Sequence, residues 1–433
     1  MTAVQPDSIS DNPALKRRDW LTIGLLSSAH ACSHFYQLII PTLYLSLAHE
    51  YGYDFVKLGM LVSVFFVVSS LGQASSGFIV DRIGAPPVLR FGLICFVLSG
   101  VLIGMSGGYA ALMLAAVIGG IGNSVFHPAD YAIINHRIRP ERLGHAYSIH
   151  GLTGNLGWAL TPVFMLALIH AFDWRVAVFC AVALIAFVLV LTWLGRSLLE
   201  SDEAEPAASP RAGAADEPDL SGESIRTTLA ILLVQPALWG AFLFFAFTSM
   251  ALSAVQNYTI PMLGDVYGLD KVLAGTALSS YMVASAVGMI IGGFLVSANP
   301  KTERTVAVSL VLAGGLLLVL ALGAVAPFFA IGLVALAGFC SGVSTPSRDM
   351  LIRRATPKGA TGTVYGLVYS GMDIGASLAP VGFGLLLDAG YRQAPWVGAA
   401  AGFVIAAFLA LWVAKSVGAP QAGGAKARQV AKA

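Results

Sequence analysis

Charge is what this sequence has least of. Of 433 residues, only 11% are Asp, Glu, Lys or Arg, against roughly 25% in an ordinary soluble domain. A soluble chain of this length divides into two or three domains and solvates each surface with charge. This composition excludes that. Cysteine is scarce too: Cys32, Cys95, Cys180 and Cys340 each fall inside an apolar stretch, and none has metal-ligand spacing or the look of a secreted disulfide framework. P-loop, nucleophile elbow, zinc-spacing cluster and sodium-site pattern are all missing. The chain is therefore not expected to be an ATPase or hydrolase, and neither cofactor nor metal is expected. Nor does anything in it point to a nucleic-acid partner. No cleavable signal peptide is expected either, because the stretch from Trp20 to Leu47 is too long for a signal core and lacks a cleavage site.

What is present is apolar length. Hydrophobic residues make up 57% of the chain, and windows of roughly 20 apolar residues recur from Trp20 to Ala414, enough to cross a hydrocarbon core about 30 Å thick. Spans are expected near 20–47, 56–80, 88–106, 109–135, 144–170 and 174–195, then near 229–262, 271–297, 304–325, 327–352, 361–388 and 396–414. The fold class is all-α integral membrane, with about twelve transmembrane helices in two pseudo-symmetric six-helix bundles. Of the 25 Lys and Arg, only Lys57, Arg175, Lys271 and Arg392 lie on one set of connections, and the rest share the other. By the positive-inside rule both termini are cytoplasmic. The expected organisation is a polar tail at 1–19, a bundle at 20–196, a linker at 197–228, a bundle at 229–415 and a tail at 416–433. The linker is rich in Ala, Pro, Ser and acids and reads as disordered.

Shifting the chain by 218 residues lays one half on the other. Gly120 meets Gly338, Pro128 meets Pro346, Gly144 meets Gly362, Tyr147 meets Tyr365, Gly157 meets Gly375 and Pro162 meets Pro380. Gly and Pro fix backbone shape and close helix contact in membranes, so the coincidence is structural. A duplicated half joined by a long linker is the layout of transporters that rock two halves around a central site.

Ionisable and amide side chains at membrane depth are functional candidates because each is costly there. His34 and Gln37 share a face of span one, and His127, Asp130 and Tyr131 share a face of span four. His150 and Asn155 lie in span five, and Gln256, Asn257 and Tyr258 precede Pro261 in span seven. Tyr369 and Asp373 lie in span eleven, where Asp373 is the mid-membrane acid favoured for function. For each amide or His alone, helix–helix bonding is an equal reading.

With these residues in view, the chain resembles the major facilitator superfamily. Gly77, Asp81, Arg82 and Gly84 stand in the pattern of that family's loop between spans two and three, with Ala85-Pro86-Pro87 replacing its basic pair. Gly157-x3-Thr161-Pro162 is a partial form of its antiporter motif. Within the superfamily, Ser33-His34, Gly122 to Pro128 and Gly154-Asn155-Leu156-Gly157 are most similar to bacterial fosmidomycin-resistance-type efflux proteins. That resemblance implies a bacterial inner-membrane monomer that exports a small organic molecule by alternating access in exchange for protons. Proton-linked uptake of a small metabolite or organic anion is the alternative, and a non-transporting sensor on the same fold is another. The resemblance also implies a conformational gate: Asp81 beneath the start of span eleven, and Asp130 paired with Arg348 at the cytoplasmic side. A local Arg348–Asp349 contact is the other reading for Arg348.

Overall fold

In hydrocarbon every backbone N–H and C=O must be satisfied within the protein, so long apolar stretches fold as helices. The computed structural model describes residues 13–200, 233–298, 301–354 and 361–417, and the elements among them are helices joined by short turns. α1 (Pro13–Gln37) and α2 (Ile39–Tyr51) form the first crossing, α3 (Phe55–Ile83) the second and α4 (Ala85–Gly104) the third. α5 (Tyr109–Asn123) and α6 (Phe126–Arg137) form the fourth, α7 (Pro140–Ala171) the fifth and α8 (Trp174–Leu194) the sixth, followed by a single turn, α9 (Arg196–Leu199). The seventh to twelfth are α10 (Pro236–Tyr267), α11 (Lys271–Ala298), α12 (Thr302–Ala321), α13 (Pro327–Arg354), α14 (Thr361–Asp388) and α15 (Ala394–Val417).

Eleven of these crossings are long and apolar enough to span a bilayer as they stand. The first is divided at Leu38, and Pro41 supplies the reason. A proline lacks an N–H and its ring crowds the carbonyl four residues back, here that of Gln37, the last residue of α1. The Leu38 N–H turns instead to the Phe35 carbonyl at 3.4 Å. Pro128 acts in the same way on Ser124, and the fourth crossing breaks between Asn123 and Phe126. Pro162, Pro261, Pro346 and Pro380 sit inside helices that continue through them. At one of these the freed carbonyl is recovered across a helix contact, where Ser253 Oγ donates to the Ala376 carbonyl, four residues before Pro380.

Packing gathers the chain into two units. One holds α1, the later part of α3 and α4 to α9; the other holds residues 40–67, that is α2 and the start of α3, with α10 to α15. Within the first, α1 lies on α7 and α4 lies on α5 and α8. Within the second, α10 lies on α14 and α12 lies on α13 and α15, the same pairs in the repeat. Glycine sets the closest approaches. A Cβ on Gly157 would run into the Ala31 carbonyl of α1, and one on Gly375, its counterpart in the 218-residue register, into the Ala246 carbonyl of α10.

Large apolar side chains such as Leu71, Phe187 and Phe408 are well over half exposed on helix faces, which suits a lipid surface and would be costly in water. At the ends of the first unit, buried Asp19 accepts from Arg139 at 2.9 Å and Arg142 at 2.6 Å. Ser197 to Glu200, assigned from composition to the linker, instead continue the fold. α9 turns back so that the Leu198 carbonyl accepts from Thr22 and Arg137, and Glu200 pairs with Arg90 at 2.8 Å. The remainder of the expected linker, and the C-terminal tail after Val417, lie outside the described residues.

Gly157→Ala and Gly375→Ala should each cost about 1–3 kcal/mol through overpacking, read as a lower unfolding midpoint in detergent. Gly315→Ala, with nothing within 4 Å of its added methyl, should leave the midpoint unchanged or raise it.

Candidate functional site

In the first unit, three helices bring their polar faces together. On α1, His30 and His34 are one turn apart; on α6, His127, Asp130 and Tyr131 share a face; on α7, His150, Gly154 and Trp158 succeed one another at four-residue steps. The glycine contact of Gly157 on Ala31 presses α7 against α1 and so sets these rows edge to edge.

The result is a cluster of four histidines around one buried acid, with His30 and His150 buried beside it and His34 and His127 partly exposed. Asp130 has no solvent exposure. Its Oδ2 shares a 2.9 Å hydrogen bond with His30 Nδ1 and lies 3.7 Å from His150 Nε2. The His30 and His150 rings stack with centroids 3.6 Å apart, and His34 stands 4.6 Å from His30 and 4.3 Å from the Trp158 ring. His127 stands 5.6 Å from His30 and stacks on Tyr131, which also approaches His150 at 5.5 Å. Among the described residues, several buried atoms in this group have no hydrogen-bond partner: Nδ1 of His34, Nδ1 of His127, both ring nitrogens of His150, and Oδ1 of Asp130. An orphaned buried polar atom costs about 1–3 kcal/mol, so the cluster is costly as a mere packing element. One ring nitrogen from each of His30, His127 and His150 lies within 4.8 Å of the others. Sequence spacing had suggested no metal site, because these residues come from three separate helices.

Beside the cluster, both proline breaks meet. Gln37, at the end of α1, donates to Asn123 Oδ1 at 2.9 Å, at the end of α5. Asn123 donates onward to Ser69 Oγ at 2.8 Å, and the Trp158 indole N–H donates to Gln37 Oε1 at 3.0 Å.

The polar group of α10 belongs to the second unit and is differently employed. Tyr44 of α2 donates to Asn257 Oδ1 at 2.9 Å, Asn257 donates to the Ser253 carbonyl at 2.8 Å, and the Tyr258 hydroxyl donates to the Pro380 carbonyl of α14. Gln256 is buried with its Nε2 unbonded. At the same end, Asp388 of α14 receives the first two backbone N–H groups of α3, Phe55 at 3.0 Å and Val56 at 2.8 Å. Ser63 Oγ donates to the Ser377 carbonyl, and a Cβ on Gly384 would come within 2.6 Å of the Phe55 carbonyl oxygen.

Of the remaining sequence candidates, Asn155 Nδ2 reaches the Gly151 carbonyl of its own helix at 3.3 Å, and Asp373 is half-buried in α14. Arg348 bonds its neighbour Asp349 at 2.8 Å and lies over the Phe245 ring. That is the local contact the sequence left open, while the described partners of Asp130 are histidines of its own unit. In the loop motif, Gly84 has φ +86, a conformation that favours glycine, Arg82 is exposed, and nothing lies within 4 Å of a Cβ built on Gly77. The side chains of Asp81 and Tyr369 lie outside the described residues.

Residues 25–380 and 304–432 match the family model of the Major Facilitator Superfamily. The chain belongs to that superfamily. Among superfamily relatives, it is 30% identical over 273 residues to the fosmidomycin resistance protein of Escherichia coli (strain K12), a match covering 63% of this chain and 64% of that protein. It is 24% identical to the membrane sensor protein UhpC of Salmonella typhimurium (strain LT2), over 74% of this chain and 75% of that one. A solved bacterial homologue of the human lysosomal transporter Spinster shares the fold with a TM-score of 0.69 at 14% identity, covering 92% of this chain and 96% of that chain. As a superfamily member, the protein has the all-α, multi-pass membrane fold of that superfamily.

His30, Trp158, Tyr44 and Asp388 were not among the sequence candidates. His30 was open to detection, since it stands four residues before His34 on the same face; the other three show their roles only through contacts across the fold.

Gln37→Leu should leave the Trp158 N–H and the Asn123 amide each short of a partner, costing about 1–3 kcal/mol per orphaned group. The measurement is the unfolding midpoint, with a shifted tryptophan emission as the local sign.

Proposed function

We propose that this superfamily member is a bacterial inner-membrane exporter that exchanges protons for a small organic molecule. The observation that carries the reading is the buried His30–Asp130 pair with His34, His127 and His150 around it. A carboxylate and imidazoles in contact can hold and release a proton within the physiological pH range, and membrane-embedded acid–histidine groups of this kind mark proton relays. The Gln37–Asn123–Trp158 network at the two helix breaks supplies neutral donors and acceptors beside it, suited to orienting a polar organic substrate. The partial antiporter motif and the similarity to a protein named for fosmidomycin resistance support outward transport. The Lys and Arg asymmetry supports cytoplasmic termini, and the 218-residue repeat, which puts two six-helix halves in one chain, suits a monomer.

The test is substrate-triggered proton movement in proteoliposomes, screening phosphonate antibiotics, siderophore-like chelators and small carboxylates. One compound should evoke proton flux, and Asp130→Asn should reduce that flux at least tenfold while the protein stays folded. Asp373→Asn compares the second acid. Transport that persists in Asp130→Asn with no proton movement would point to facilitated diffusion. Binding without any transport would favour the sensor reading, for which the similarity to UhpC is the motivating observation.

Asp388 and the contacts around it form the outer gate in this reading. An acid at a helix N-terminus is favoured by the helix dipole and satisfies N–H groups that have no intrahelical partner. Two charge-assisted bonds of about 1.5–3 kcal/mol each would bias the closed state by tenfold or more. Asp388→Ala should therefore speed the labelling of Ser63→Cys by an impermeant maleimide added outside, in a background without the native cysteines. Unchanged labelling would remove Asp388 from the gate.

A further inference from the structure

Four imidazoles and one carboxylate inside the first unit offer more ligand atoms than a single proton requires. We propose that His30, His127 and His150 bind one divalent transition-metal ion of the zinc, cobalt or nickel type, with Asp130 holding the His30 ring. Nδ1 of His127 and both ring nitrogens of His150 are buried without a hydrogen-bond partner among the described residues, and an ion would take one nitrogen from each ring. The donor set chooses the class of ion. Three imidazole nitrogens suit zinc and its neighbours, whereas calcium and magnesium take six or more oxygens.

The His30–Asp130 bond has the form found around bound metals, in which a carboxylate holds one ring nitrogen of a ligating histidine and so aims the other. Here the carboxylate holds Nδ1 at 2.9 Å. Nε2 of His30 points toward Gly154, where a Cβ would stand 3.1 Å from it and 3.0 Å from the His34 ring. The absence of a side chain at Gly154 keeps that volume open.

The ligand nitrogens of His30, His127 and His150 lie within 4.8 Å of one another. In a tetrahedral site with metal–nitrogen bonds of about 2.0–2.1 Å, neighbouring nitrogens stand about 3.3 Å apart. The cluster closes by about 1.5 Å around the ion, a movement that side-chain rotation on three helices can supply. The inference rests on the transporter reading only for its consequence, that an ion held here occupies the groups assigned to the proton. Binding itself is measured without transport.

The experiment uses the full-length protein, purified in detergent without a histidine tag and stripped with a chelator. Zinc is titrated by calorimetry, and cobalt by its visible absorption. The expected result is one ion per chain, with the intense cobalt bands of a four-coordinate nitrogen–oxygen site. His127→Ala and His150→Ala should each abolish stoichiometric binding. Asp130→Asn should weaken it about 10–100-fold, and His170→Ala, at an exposed position, should change nothing. No uptake by the wild-type protein overturns the proposal. So does the weak spectrum of octahedral surface-bound cobalt, whatever the variants do, and so does full binding in folded His127→Ala and His150→Ala. Metal binding without proton flux would leave this inference standing and remove the proton reading; the converse would do the opposite.

Discussion

Asp130 imposes the strongest demand on the first unit. A carboxylate removed wholly from water costs several kcal/mol unless it is paired or protonated, and its helix alone cannot satisfy it. The partners come from α1 and α7, with His30 at 2.9 Å and His150 at 3.7 Å. Both helices must then be held within a fraction of an ångström. Gly157 makes this feasible by letting α7 rest directly on the α1 backbone at Ala31. Pro128 matters for a related reason. By ending α5 before α6 begins, it lets the segment carrying His127 and Asp130 be aimed apart from the helix that precedes it.

The same two residue types recur in the second unit, to a different end. Gly375 lets α14 rest on α10, as Gly157 lets α7 rest on α1, and Pro380 frees a carbonyl that Ser253 recovers. Backbone shape is thus shared between the halves, while the side chains on it have diverged. Where the first unit concentrates titratable groups, the Asn257 and Tyr258 side chains of α10 are committed to bonds with Tyr44, Ser253 and the Pro380 backbone. They hold helices together at the end where Asp388 caps α3.

This division explains which parts were legible in the sequence. Span positions follow from apolar length alone, and observed helix limits differ from expectation by only a few residues at most ends; α1, which begins at Pro13 rather than near 20, and α10, which begins at Pro236 rather than near 229, are exceptions. The repeat was legible because Gly and Pro report backbone geometry, which the halves share. His34, His127, Asp130 and His150 were legible as costly residues at membrane depth. Their assembly was not, because three separate helices contribute, and no spacing along one helix encodes a contact between two. The α10 residues were likewise legible as polar, whereas the bonds that Asn257 and Tyr258 make to neighbours in their own unit do not show in the sequence. At Ser197 to Glu200, composition changes before the fold ends, because backbone carbonyls there serve Thr22 and Arg137, and carbonyls carry no sequence signature.

A conformational equilibrium moves only if some group binds a proton or ligand more tightly in one state than in another. Neutral bonds such as Tyr44–Asn257 and Ser63–Ser377 hold whatever the pH, so they contribute a constant bias. On the proposed reading, the His30–Asp130 cluster contributes a term that changes with proton or ion occupancy. To carry a state from a 1:99 minority to a 99:1 majority, that term must reach about 5.5 kcal/mol. A single solvated imidazole titrating near its ordinary value supplies little of this, since its affinity for a proton scarcely differs between states. A group moved between full burial and a wetted environment can supply it, because burial alters the cost of charge by several kcal/mol. On the proposed proton-exchange reading, complete burial of Asp130 is therefore more than a packing detail: it is what would give the cluster leverage over a change of state, and a half-exposed acid on the same helix would lack it.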